Sequence, residues 1–188
     1  MAQQHRSAGD AAKHALELVR RAQREWPRAQ LSCAFDIDDT LLHDDGSGNI
    51  SANSPIVNLM KWCHLQGLRV HLITARPSAS RSVALADLAA IGCGTSFDTL
   101  QMLPAGHGVD DVALWKFVAR WHMLLRDREH TAQSHMVFSA GDQWWDMLGT
   151  EDLIQTAERT YKDPAGYYVI TQTPRMEAAM ACVKLPSL

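Results

Sequence analysis

The segment Phe35-Asp36-Ile37-Asp38-Asp39-Thr40-Leu41-Leu42 sets two carboxylates, Asp36 and Asp38, two positions apart at the end of an apolar run. Side chains alternate along a strand, so these two share a side. Like charges this close either share a proton or gather a cation, because each raises the cost of ionising the other. Taken alone, the stretch is also compatible with a strand running into a solvated acidic turn. Asp39 is turned away by the same alternation and is given no catalytic role.

Three more segments carry residue types suited to an anion. In His71-Leu72-Ile73-Thr74-Ala75-Arg76-Pro77 a hydroxyl stands at a predicted strand end just before a helix, where free N–H groups bind phosphate oxygens. A simple helix cap is the plain alternative. Lys116 and Arg120 are four residues apart on a predicted helix, which puts both cations on one face. Most helix lysines are solvated, but the apolar neighbours Leu114, Trp115, Phe117 and Val118 favour an inward one here. In Ser139-Ala140-Gly141-Asp142-Gln143-Trp144-Trp145-Asp146, Gly141 permits a close backbone turn and Asp142 offers a hard oxygen ligand suited to Mg²⁺. Asp146 follows one helical turn later. Arg76, Arg81 and Arg120 are further candidate anion contacts, and Trp144 and Trp145 have faces to stack on a substrate ring or simply to pack. His71, three residues before Thr74, is expected within the sheet.

The elements that must position these groups are marked by pattern. Ala11, Ala15, Leu18 and Ala22 recur at helical spacing up to Glu25, with Pro27 blocking continuation. Leu31–Phe35 is a short apolar run suited to a buried strand, and a Gly-containing loop, His43–Asn53, follows as the expected mobile flap. Ser54 as N-cap, Pro55, the stripe Ile56, Leu59, Met60, Cys63 and a stop at Gly67 define a helix. Leu68–Ile73 and Phe97–Leu103 are predicted strands on either side of a helix from Ser78 to Ile91, closed by Gly92. A helix capped by Asp110 or Asp111 runs to about Arg126, and a polar stretch, Asp127–Ser134, leads into a strand His135–Ser139. Tyr167–Thr171 is a further predicted strand and Arg175–Val183 a predicted terminal helix. Strands alternating with helices of this length imply right-handed crossovers and a mostly parallel sheet covered on both faces.

The chain has 188 residues, 46% of them hydrophobic, enough for one core, and a single domain over 1–188 is expected, with 1–30 as a helical N-terminal extension. A formal net charge of −3 gives no global attraction to nucleic acid or anionic membrane, so nucleic acid is expected only as a substrate. The N-terminal stretch has neither an export-type apolar run nor a bilayer-length one, which predicts a cytoplasmic protein without membrane partners. Cys33, Cys63, Cys93 and Cys182 have no zinc-ligand spacing and are expected to be reduced thiols.

Taken in this order, FDIDDTLL, LITARP, Lys116 and SAGDQWWD resemble motifs I to IV of the haloacid dehalogenase-like (HAD) superfamily. The Lys116-to-Arg120 spacing and the Gly141–Asp146 segment are most similar to the class B and class C acid phosphatase branch, whose secreted or lipid-anchored members carry an export signal not seen here. The resemblance implies a Rossmann-like α/β core and a hydrolase acting on phosphate monoesters. It makes Asp36 the nucleophile that forms an aspartyl-phosphate and Asp38 the general acid and base. It gives Thr74 and Lys116 the transferring oxygens, with Arg76 and Arg120 as further substrate contacts. Mg²⁺ is implied at Asp36, at the Asp38 carbonyl oxygen and at Asp142, and Asp146, one helical turn beyond Asp142, is placed to hold a metal-bound water at that site.

Specificity in this superfamily comes from cap insertions after motif I or after the third strand, and neither interval has room for one. A capless or minimally capped core follows, open to a bulky phosphorylated macromolecule or to a small phosphate ester covered by a neighbouring subunit or by the N-terminal helix. Four alternatives stay open from the residues: a phosphotransferase, a phosphomutase, a nucleic acid end-processing phosphatase and a non-catalytic binding protein on the same fold. A receiver-type phosphoacceptor domain is disfavoured, because its aspartate would end the third strand, where Leu103-Pro104 stands instead.

Overall fold

The computed structural model describes residues 2–5, 7–130, 134–143, 146, 167–170 and 181–184. In chain order the elements are β1 (Ala2–His5), α1 (Ala8–Glu25), β2 (Gln30–Phe35), β3 (Leu42–Asp44), β4 (Ile50–Ala52), α2 (Ser54–Leu65), β5 (Arg69–Pro77), α3 (Arg81–Ala90), β6 (Thr99–Leu103), α4 (Val112–His130), β7 (Ser134–Gly141), β8 (Tyr167–Ile170) and β9 (Ala181–Lys184). One sheet runs in the order β1-β8-β9-β7-β2-β5-β6. From β9 to β6 all neighbours are parallel, and β8 and β1 add an antiparallel edge. This is the mostly parallel α/β sheet that the strand and helix patterns predict, in the Rossmann-like form that the motif resemblance implies.

Strand β2 is central, and Leu31 to Phe35 are all buried. A strand buried on both faces reads as an unbroken apolar run, and alternation assigns its side chains to two cores. Leu31, Cys33 and Phe35 join the core under α1, α2 and α3, with Phe35 edge-on to Phe138 at 5.4 Å between ring centroids. Ala34 faces the other way, against Ala119 and Met123 of α4, together with Ile73 and Met136. Asp36 has the parity of Ala34, so its side chain comes off the strand end towards α4.

Helix α1 is capped by Ser7, whose hydroxyl accepts from the Asp10 N–H, and it buries Ala11, Ala15, Val19 and Ala22. Small residues on that stripe let the helix axis lie close to the sheet. At α2 the N-cap is Asn53 rather than Ser54, and no side chain closes it, so the start rests on Pro55 in the first turn. Gly67 (φ 78°) and Gly92 (φ 74°) take the left-handed conformation after α2 and α3, where glycine carries no Cβ penalty.

Five further expectations need correction. The His43–Asn53 loop is a small antiparallel hairpin, β3 with β4, pairing Leu42 to Ala52 and Asp44 to Ile50. The helix predicted from Ser78 begins with a 3-10 turn, Ser78–Ser80, before α3. Helix α4 extends past Arg126 to His130, because Asp127, read as the start of a polar loop, is buried and bonded to Arg69 (2.8 Å) and His71 (3.1 Å) of β5. The N-terminal extension contains a strand, β1, beside β8. Residues 181–184 of the predicted terminal helix form β9 instead, since a slot between β7 and β8 supplies ladder partners that override helix propensity. Residues 175–180 lie outside the described residues. Among the described residues no helix is long and apolar enough to cross a membrane. Between β2 and α2 the chain inserts only the β3–β4 hairpin, and between β5 and α4 only α3 and β6 with their turns, so neither of these two intervals carries a cap.

Candidate active site

The carboxyl ends of β2, β5 and β7 converge, and the loops leaving them carry the predicted residues. The Asp36 N–H donates to the Ala140 carbonyl (2.9 Å), which continues the β2–β7 ladder one residue beyond β2 and fixes the Asp36 backbone. The chain then folds back on itself. The N–H groups of Leu41 and Leu42 donate to the Ile37 carbonyl at 2.9 and 3.1 Å, and Asp39 sits at φ 53°, a left-handed turn in a non-glycine residue. Its carboxylate pairs with His43 of the hairpin at 2.8 Å.

Lys116 reaches this strand end from α4. Its side chain is 2% exposed, and Nζ donates to Asp36 Oδ1 at 2.7 Å and to Asp146 Oδ1. Arg120, one turn later and also buried, donates from Nη1 to the Asp146 carbonyl, which also accepts from the Ser139 hydroxyl at 3.1 Å. The other Asp146 carboxylate oxygen accepts the Gln143 N–H at 2.9 Å. Gly141 makes this closure possible: a Cβ there would overlap the Asp146 side chain. Asp142 accepts from the Gln143 side-chain amide at 2.6 Å.

One carboxylate oxygen each of Asp36, Asp142 and Asp146 lie within 4.8 Å of one another, and all three residues are buried. Burial pushes the Asp36 carboxyl well above its ordinary range, a shift Lys116 opposes and Asp146 reinforces. Burial, then the Asp146 charge, raises Asp142 to about 6. Lys116 is desolvated as well, yet the charges of Asp146 and Asp36 hold it firmly protonated. Three crowded acids facing one ammonium are short of positive charge. A divalent ion with a preference for hard oxygen fits this donor set.

Thr74 is fully buried within β5, which runs three residues beyond it to Pro77 instead of ending at Ile73 as expected, and its hydroxyl accepts the Arg76 N–H at 3.1 Å. Asp38 does not join the three acids. β2 ends at Phe35, so strand alternation no longer dictates where Asp38 points, and its carboxylate is gripped by Arg76 through Nε (3.1 and 3.0 Å) and Nη2 (2.7 Å). Arg76, expected as a substrate contact, spends its remaining Nη1 on Asp87 of α3 at 2.5 Å. Arg81 donates to the Leu100 carbonyl at 3.3 Å. His71 lies within the sheet as expected, bonded to Thr99 (2.9 Å) and Asp127. Trp144 and Trp145 lie outside the described residues. Asp87 was not singled out from sequence, where it is one more acid on a helix.

No family model and no curated protein sequence matches this chain. Solved structures do. The class C acid phosphatase from Bacillus anthracis with tungstate bound is similar over 95% of this chain and 76% of that one, with a TM-score of 0.65 at 11% identity. A second structure of the class C acid phosphatase from Bacillus anthracis gives a TM-score of 0.61 at 12% identity. A chain of the Pnkp1/Rnl/Hen1 RNA repair complex matches with a TM-score of 0.53 at 16% identity, covering 84% of this chain. This chain spans 43% of the length of that RNA repair chain. At such identities the likeness is one of fold. The chain is similar in fold to the class C acid phosphatase.

Proposed function

We propose that the protein is a Mg²⁺-dependent phosphatase that hydrolyses phosphate monoesters through an aspartyl-phosphate on Asp36. The observation that carries this is the buried Asp36–Lys116 pair at 2.7 Å, set among three carboxylates at the carboxyl ends of parallel strands. The fold shared with a tungstate-binding acid phosphatase supports it, since tungstate is a tetrahedral oxyanion like phosphate.

Asp36, Asp142 and the Asp38 carbonyl oxygen would hold the ion, with Asp146 beside them. Bound there, Mg²⁺ would screen the attacking carboxylate from the phosphate and stabilise charge developing on the phosphoryl oxygens. In the first half-reaction an Asp36 carboxylate oxygen bonds to phosphorus, the phosphorus–oxygen bond to the leaving group breaks, and Asp38 supplies the proton the leaving alkoxide needs. In the second, Asp38 takes a proton from water as that water attacks the aspartyl-phosphate, releasing phosphate and restoring Asp36. Lys116 orients Asp36 and, with Thr74, holds the transferring oxygens. Positive charge fixed in advance in a dry site needs no reorganisation when the transition state forms.

Asp36→Asn should abolish Mg²⁺-dependent phosphate release from an aryl phosphate. Turnover close to wild type in that variant would reject the nucleophile assignment. The same assay, run over nucleotides, sugar phosphates, phosphopeptides and 5′- or 3′-phosphorylated nucleic acid ends, identifies the substrate class.

A further inference from the structure

Arg76 ties Asp38 to a residue that lies in none of the four motifs. We propose that Asp87 is a positioning residue for the reaction, fixing the Asp38 carboxylate by anchoring the guanidinium that grips it. The inference rests on Asp38 being the general acid and base.

Asp38 stands past the end of β2 with its side chain 46% exposed, so packing alone leaves its carboxylate several orientations. Arg76 removes that freedom. Its Nε and Nη2 face the two carboxylate oxygens at 2.7 to 3.1 Å, a fork arrangement that aligns the planes of the two groups. An arginine is itself a long, rotamer-rich side chain and fixes its partner only as well as it is fixed. The Nη1–Asp87 bond supplies that second hold at 2.5 Å. Asp87 is 14% exposed and lies on α3 between Ala84 and Leu88, both fully buried in the main core. The chain of support therefore runs from a packed helix, through one guanidinium, to a half-exposed catalytic carboxylate.

Without Asp87, the guanidinium keeps its bonds to Asp38 but is free to swing with it, and the proton donor is no longer set before the ester arrives. Small misplacements of a reacting group are costly in rate. Asp87 touches neither the carboxylate cluster nor Asp38 directly, so its effect should be confined to the two proton transfers assigned to Asp38.

The test uses Asp87→Asn and Asp87→Ala with an activated aryl phosphate and an alkyl phosphate. For the alkyl ester kcat should fall about tenfold, a fraction of the roughly 10²–10⁴-fold that general acid–base catalysis supplies, while KM stays close to wild type and the aryl ester, which needs Asp38 only as the base of the second half-reaction, loses clearly less. In an Arg76→Ala background the same Asp87 substitution should add no further loss. Equal losses on both esters, or the full loss repeated without Arg76, would overturn the inference. Should the alanine variant not fold, the near-isosteric asparagine variant and the double variant decide the matter. Asp38→Asn in the same panel tests the underlying assignment: undiminished alkyl ester turnover there removes Asp38 from proton transfer, and the role of Asp87 falls with it. A leaving-group effect in Asp38→Asn beside uniform losses in Asp87→Asn overturns the positioning role alone.

Discussion

Replacing Asp142 by asparagine should stabilise the metal-free protein at neutral pH while removing its response to Mg²⁺. Burial and the Asp146 charge raise the Asp142 carboxyl from the ordinary 3.8 to about 6. A folded-state value above the unfolded one means that the folded protein binds the proton more tightly. The stability linked to Asp142 is therefore fully present below the ordinary carboxylate range and lost as the pH rises through about 6. A shift of this size corresponds to about 3 kcal/mol at neutral pH. The asparagine variant avoids that cost but weakens the bond from Gln143, worth about 1 kcal/mol. The net gain of about 2 kcal/mol raises Tm by about 4–8 °C in a chain of this length. Thermal melts in chelator at about pH 7.5 and about pH 4.5 bracket the titration. The variant should melt higher than wild type at the upper pH, the gap should close at the lower one, and added Mg²⁺ should raise only the wild-type Tm. A variant that melts at or below wild type at both values would refute the claim that this cluster lacks a cation.

Two other substitutions probe the supports of the site. Gly141→Ala forces a Cβ into the Asp146 side chain and should cut kcat on an aryl phosphate by about 100-fold, the scale expected when a reacting constellation is displaced by an ångström; turnover near wild type would contradict the close packing at this turn. Asp127→Ala leaves His71 and Arg69 without their shared buried carboxylate and should cost about 3 kcal/mol of stability, read as a fall in Tm. Because this cluster sits towards the opposite end of β5 from Thr74, kcat should not change, and a parallel loss of activity would show that it is coupled to the site.

The parts of the site legible in the sequence are those where the local chain and the chemistry coincide. Asp36 and Asp142 directly follow or end apolar strands, and Lys116 sits in an apolar stretch of helix, so strand ends and helix faces placed them before any tertiary contact was known. Asp38 was legible as a residue but not in its orientation, because strand geometry stops at Phe35 and a guanidinium from β5 takes over. Asp87 and Asp127 were invisible for the opposite reason. Each is an acid on a helix with nothing local to separate it from a solvated one, and only the packing of that helix on β5 gives it a partly exposed arginine as partner. The same holds for β9, whose Ala181–Lys184 has no strong strand pattern and is extended because β7 and β8 offer it partners on both sides. The β3–β4 hairpin escaped notice because its strands are three residues each, too short for alternation to register.

The central claim is that the phosphoryl group passes through Asp36. Quenching the protein in acid during incubation with an aryl phosphate and Mg²⁺, reducing the acyl phosphate with borohydride and mapping the peptides by mass spectrometry tests it directly. A modified residue at position 36, absent without substrate, is the expected result. Steady turnover with residue 36 unmodified, or with the label on another side chain, would contradict it.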